Sequence, residues 1–249
     1  IMGCEGYFLP KYKPQTRGYH LCLFAKTKQG YTNLNTLQYE GEKIKYYNPI
    51  WTFELLEKYH EGLICTSACV AGYLAQCIKS DKLVQAEKYL RKMVDIFSDD
   101  FYIEIQPYSI TESGLQEKVN VESIKLAKKL GIKLILTSDS HRGAKEDFDT
   151  YMKMHEIAKH NFDDIEATYK ERYMPTKKEI MQRFYKMHRG DFGDTKAKAL
   201  AKEMVRNLQE IEDKVDGNIL DELELKLPQF DPERDSFDLL KEKIKDGLK

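Results

Sequence analysis

Asp139 and His141 follow the apolar run 132–137 (IKLILT) and stand two residues apart. On extended backbone, residues i and i+2 project to the same side, so a carboxylate oxygen and an imidazole nitrogen would face one point and could share a metal ion. An Asp-x-His after a strand also reads as a turn-forming aspartate beside a surface histidine, and the pair alone does not choose. Three more ligand-type side chains occupy comparable places: Glu5 after the opening strand, His20 at the head of 20–26 (HLCLFAK), and Cys69 just beyond 62–66 (GLICT). Singly, Glu5 fits a solvated carboxylate, His20 a strand cap and Cys69 a small buried hydrophobe. Jointly, one Glu, two His, one Asp and one Cys form a mixed hard and borderline donor set, which suits zinc, manganese or iron better than calcium.

Strands alternating with helices must position these groups. Residues 1–5 (IMGCE) read as a buried strand already inside a fold, which suggests truncation upstream. The runs 20–26, 62–66, 101–106 (FYIEIQ) and 132–137 read as further strands. Between them, Leu83, Ala86, Leu90, Met93, Val94 and Phe97 share one helical face, and 121–130 is a second amphipathic helix closed by Gly131. That order predicts an α/β fold with a parallel sheet or barrel, whose working residues sit at the carboxyl ends of the strands. After about residue 145 the pattern turns helical, over 146–158, 177–187 and the apolar stripe Ala197, Leu200, Ala201, Met204, Leu208, Ile211 and Val215. An extended linker, 227–232 (LPQFDP), precedes a final charged helix from Asp235.

Composition narrows the class. The 249 residues carry 40 basic and 41 acidic side chains, so no basic excess announces nucleic-acid binding through phosphate neutralisation. No apolar run approaches the roughly 20 residues that cross a bilayer, no secretory signal opens the chain, and the five cysteines form no Cys-x-x-Cys pair, so a cytoplasmic protein with reduced thiols is expected.

Five short motifs in order, 1–7 (IMGCEGY), 20–26 followed by 30–34 (GYTNL), 62–72 (GLICTSACVAG), 101–106 and 137–141 (TSDSH), resemble the PHP domain of bacterial C-family replicative DNA polymerases, the DNA polymerase III α subunits. The likeness continues through 145–147 (KED), Asp163 and Asp164, 173–177 (YMPTK), 179–181 (EIM), the 197–215 helix and 227–230 (LPQF), which look like the segment joining that domain to the palm. The resemblance implies a distorted (β/α)7 barrel, incomplete at its N-terminus, holding up to three divalent ions. The matching metal ligands are Glu5, His20, Cys69, Asp139 and His141, and two earlier motifs of the family, a His-x-His and an Asp-His, are missing. It further implies a metal-binding barrel over 1–145, a helical connector over 146–226, and a linker with the start of the palm over 227–249. The parent is expected to be a DNA-directed DNA polymerase that uses magnesium in a palm whose catalytic carboxylates are absent here. Its expected partners are DNA, a proofreading exonuclease subunit and a sliding clamp, with no membrane. The implied chemistry is metal-assisted phosphoester hydrolysis, acting as a 3′-5′ exonuclease. The alternatives are a free-standing PHP phosphoesterase acting on a small phosphate ester, and a non-catalytic module that stabilises the polymerase or docks an exonuclease subunit.

Among the remaining features, His60, His155, His160 and His188 read as solvated surface, the 27 Tyr and Phe residues as core and rim, and Glu104 either as support for the metal ligands or as a salt-bridge partner.

Overall fold

The short β-branched and apolar runs become a single mixed sheet in the computed structural model, which describes residues 1–108, 114–158, 169–219, 231 and 233–247. The strands are β1 (Gly3–Leu9), β2 (Tyr19–Ala25), β3 (Ile50–Thr52), β4 (Leu63–Thr66), β5 (Phe101–Ile105) and β6 (Lys133–Leu136), in the order β3-β1-β2-β4-β5-β6. Pairing is parallel for β1 with β3, β4 with β5 and β5 with β6. It is antiparallel on both sides of β2, which departs from the all-parallel expectation. The reason is local: nine residues separate β1 from β2, too few for a helical crossover, so β2 must return antiparallel. The opening strand is also shifted from its expected place, with Phe8 and Leu9 buried and Ile1 67% exposed.

Helices fill the connections: α1 (Lys28–Lys43), α2 (Phe53–Tyr59), α3 (Tyr73–Lys79), α4 (Leu83–Phe97) and α5 (Leu115–Leu130). In α4 the buried face is Ala86, Tyr89, Leu90, Met93, Ile96 and Phe97, while Leu83, expected inside, is 40% exposed at the first turn. Gly131 ends α5 at φ 70°, a left-handed position where a Cβ would be strained. Gly30 in α1 is required for another reason, since a Cβ there would lie 1.8 Å from the Gly62 carbonyl oxygen, where the helix meets the entry to β4. The aromatic residues behave as core: Phe8, Phe53, Tyr73 and Tyr89 pack ring against ring at 5.0–6.3 Å.

The helical region comprises α6 (Phe148–Ile157), α7 (Lys177–Phe192) and α8 (Asp194–Lys214). A capping box between Thr176 and Glu179 starts α7. Helix α8 lays Leu208 and Ile211, with Val215 just past its end, on Ile64, Tyr102, Ile135 and Phe24, and Asn207 Nδ2 donates to the Leu134 carbonyl at 2.7 Å. His188, expected at the surface, is fully buried on α7. Its Nδ1 lies 2.9 Å from Asp191 Oδ2, and its Nε2 lies 3.0 Å from the Nδ2 donor of the buried Asn120. That arrangement makes Nε2 the acceptor and the ring neutral. Burial lowers the His188 pKa below its ordinary 6.5, against the opposing pull of Asp191. A depressed folded-state value means that the unfolded chain binds the proton more readily, so this contribution is present above pH 6.5 and is lost as pH falls below it. Thermal melts between pH 7.5 and 5.5 are expected to show a loss of stability that His188→Phe reduces; an unchanged pH slope in the variant would place the effect elsewhere.

Residues 218–249 form a separate unit. Its helix α9 (Ser236–Gly247) begins where Asp235 Oδ1 accepts from the Phe237 and Asp238 amides, and it leaves Phe237, Leu240 and Ile244 exposed. All of the expected linker 227–232 except Asp231, together with Asp163, Asp164 and His160, lies outside the described residues. No helix among the described residues is long and apolar enough to cross a membrane.

Candidate metal centre

Side chains of a strand alternate between faces, and along β4, β5 and β6 the residues on the α8 side change from apolar to polar toward the carboxyl ends: Ile64 to Thr66, Tyr102 to Glu104, Ile135 to Thr137. Helix α8 covers the apolar half. The polar half opens as a cleft of about 420 Å³, whose lining includes Glu5, Cys22, Cys69, Glu104 and Asp139. The cleft therefore lies at the carboxyl ends of the parallel strands, as the order of elements predicts.

Glu5 and His20 come from the adjacent antiparallel strands β1 and β2, where Glu5 faces Cys22 and Tyr7 faces His20. The T-shaped contact of the His20 ring with Tyr7, 5.3 Å between centroids, steadies the imidazole. Cys69 arrives on a tight turn after β4. Ala68 sits at φ 58°, the Gly72 amide donates to the Cys69 carbonyl at 2.8 Å, and the His20 amide donates to the Ala71 carbonyl at 3.1 Å. As a result His20 Nδ1 is 2.9 Å from Glu5 Oε1 and 3.5 Å from Cys69 Sγ, and the three potential ligand atoms lie within 4.8 Å of one another. Two donors on one zinc ion, each about 2.0–2.3 Å from it, are at most about 4.6 Å apart, so only a small adjustment is needed to share an ion. The contact with Cys69 and then that with Glu5 push the His20 pKa up to about 10. The hydrogen bond from His20 in turn holds the Glu5 carboxyl below the usual carboxylate range.

Asp139 and His141 reach the same region differently from the extended-strand expectation. The backbone turns left-handed at Asp139, φ 48°, so the two side chains do not project as strand neighbours. Asp139 Oδ2 accepts from Arg172 Nη1 at 2.8 Å and from the Tyr108 hydroxyl at 3.4 Å. His141 Nδ1 lies 2.7 Å from the Asp139 carbonyl oxygen, which can only accept, so Nδ1 carries the proton and Nε2 is the nitrogen able to bind an ion. His141 is close enough to contribute to the lowered pKa of Glu5. The structure thus gathers Glu5, His20 and Cys69 into one cluster and leaves Asp139 and His141 at its margin.

Two residues of the site, Cys22 and Arg172, escaped the sequence reading, whereas Glu104 was expected either to support the ligands or to form a salt bridge. Cys22 shares the face of His20 two residues on, and its Sγ lies 3.9 Å from Glu5 Oε2; burial raises its pKa strongly, so it stays a thiol. Its signal was the His-x-Cys spacing. Glu104 makes no salt bridge among the described residues; its Oε2 accepts from Thr137 Oγ1 at 2.6 Å and Gln106 Nε2 at 3.0 Å, and Thr66 Oγ1 donates to Oε1. It ties β4, β5 and β6 together under the cleft. Arg172, far along the chain, carried no local signal.

Residues 1–108 match the PHP domain family. The chain is also 39% identical over 163 residues to the DNA polymerase III subunit alpha of Aquifex aeolicus, 36% over 156 to that of Treponema pallidum and 37% over 158 to that of Borreliella burgdorferi. Each match takes in 59% of this chain and 13–14% of the relative, so the chain spans about one-seventh of the length of these curated relatives. Glu5, His20 and Cys69 all fall within the residues that match the PHP domain family, whereas Asp139, His141 and Arg172 lie beyond them.

Proposed function

We propose that this chain is the PHP region of a bacterial replicative DNA polymerase, a DNA polymerase III α subunit, and that its cleft binds divalent metal. The observation that carries the metal reading is the convergence of a carboxylate, an imidazole and a thiol from β1, β2 and the turn after β4. A mixed O, N, S set favours zinc, with manganese or iron as alternatives. The proposed ligands are Glu5, His20 and Cys69, with Asp139 and His141 at the far lip of the cleft. The six strands belong, on this reading, to a PHP-type (β/α)7 barrel over 1–145. Residues 146–226 connect it to a palm that begins over 227–249. Magnesium and the polymerase carboxylates belong to that palm, and DNA, a proofreading exonuclease subunit and a sliding clamp are the partners, in the cytoplasm.

Metal bound in the cleft would supply Lewis acidity and a water of lowered pKa, which suits hydrolysis of a phosphoester such as the 3′-terminal linkage of DNA. The chain's own groups have defined parts. Glu5 and His20 present the donor atoms, Glu104 braces the strand ends, and the Tyr7 edge fixes the His20 ring. The test uses the full-length protein and 3′-labelled single-stranded DNA. Release of 3′-terminal nucleotides is expected to need Mn²⁺ or Zn²⁺ and to fall more than about 100-fold in Glu5→Gln, beyond the 10–100-fold cost of losing a residue that only supports a ligand. Nuclease activity indifferent to both chelation and Glu5→Gln would sink the catalytic reading. A metal-dependent melting temperature without nuclease activity would assign the centre a structural role.

A further inference from the structure

Arg172 is 6% exposed, clamped between the Tyr108 ring at 4.6 Å and the Tyr169 ring at 4.8 Å, and aimed at Asp139. Its Nη1 donates to Asp139 Oδ2 at 2.8 Å, with side-chain exposures of 7% and 13% for the two partners, and its Nε is buried with no hydrogen-bond partner among the described residues. The backbone holds it there as well. The His141 amide donates to the Arg172 carbonyl at 2.8 Å, residues 142 and 173 form a parallel bridge, and the Arg142 guanidinium donates to the carbonyls of Tyr169 and Lys170. A guanidinium does not deprotonate in proteins, so it cannot vacate its charge as His20 can. A buried ion pair broken on one side leaves an uncompensated charge, which makes either partner demand a replacement.

We infer that Arg172 is a built-in cation that occupies Asp139 in place of a metal ion, so that the cleft holds one ion fewer than its ligand-type side chains could support. This rests on the metal reading of the Glu5, His20 and Cys69 centre. Arg172 is therefore a positioning residue that sets metal number, and removing it frees the Asp139 carboxylate for a further ion.

The experiment counts metal in the full-length protein by mass spectrometry after equilibration with Zn²⁺ or Mn²⁺, and follows melting with and without metal. Arg172→Gln is expected to bind one more ion per chain than the wild type, and the double variant Arg172→Gln/Asp139→Asn to lose that gain. Arg172→Met, which keeps the stacking between the two tyrosines, is expected to behave like Arg172→Gln. Should the substitution destabilise the fold, metal is expected to restore it, giving a larger metal-dependent rise in melting temperature than in the wild type. An equal or lower metal count in the Arg172 variants, or destabilisation that metal does not restore, overturns the inference. If the wild-type count is the same in Cys69→Ser, the metal centre itself is at fault and both readings fall.

Discussion

Replacing His20 with asparagine in the full-length protein is expected to lower the affinity of the cleft for Zn²⁺ by more than about 100-fold, exceeding the 10–100-fold typical of residues that only support a ligand. His20 Nδ1 is the one atom in contact with both other members of the cluster, so its removal separates Glu5 from Cys69. The same atom makes wild-type binding depend on pH. With its pKa pushed up to about 10 in the ion-free site, the imidazole is protonated at pH 7, and an ion can enter only by displacing that proton. Apparent affinity should therefore rise about tenfold per pH unit for each proton displaced, and His20→Asn should remove one unit of that slope. The ion-free protein behaves oppositely. A raised folded-state pKa contributes stability that is fully present below pH 6.5 and lost as pH rises through about 10. Zinc titrations from pH 6 to 8, with calorimetry in buffers of different ionisation enthalpy, count the protons. A slope unaffected by His20→Asn would show that the imidazole is not displaced.

Trp51→Ala should cost about 3–5 kcal/mol, the usual range for emptying a buried aromatic site, and lower the melting temperature by roughly 6–20 °C at 2–4 °C per kcal/mol. All three residues of β3 are buried, and the Trp51 ring lies flat over β1 at Gly6, where a Cβ would come within 2.3–2.6 Å of it. That contact sets β1 beside β3 at the residue next to Glu5, so a weakened metal site should accompany the lost stability. Val84→Ala, at a position 72% exposed, is the control, expected within about 0.5 kcal/mol of wild type. Calorimetry of the full-length protein resolves the two, and equal unfolding temperatures would mean that β3 is not part of the core.

Strands β2, β4, β5 and β6 were legible from short β-branched or apolar runs, and α4, α5 and α8 from 3.6-residue stripes. Strand β3 was not, since three residues carry no period. His188 was misplaced at the surface because its burial depends on Asn120, 68 residues away.

The amino-acid order alone determined the α/β class and named Glu5, His20 and Cys69, because ligand chemistry lives in residue type; His20 and Cys69 stand beside the ends of recognisable strands, while Glu5, expected after the opening strand, lies within β1. Only the tertiary structure decided which of the five candidates converge. Pairing of β1 with β2 and the turn after β4 brought three together. A left-handed residue at Asp139 and a cation from Arg172 turned the fourth aside. The physical reason is distance along the chain: 33 residues separate Arg172 from Asp139, and no local pattern encodes a contact formed by folding.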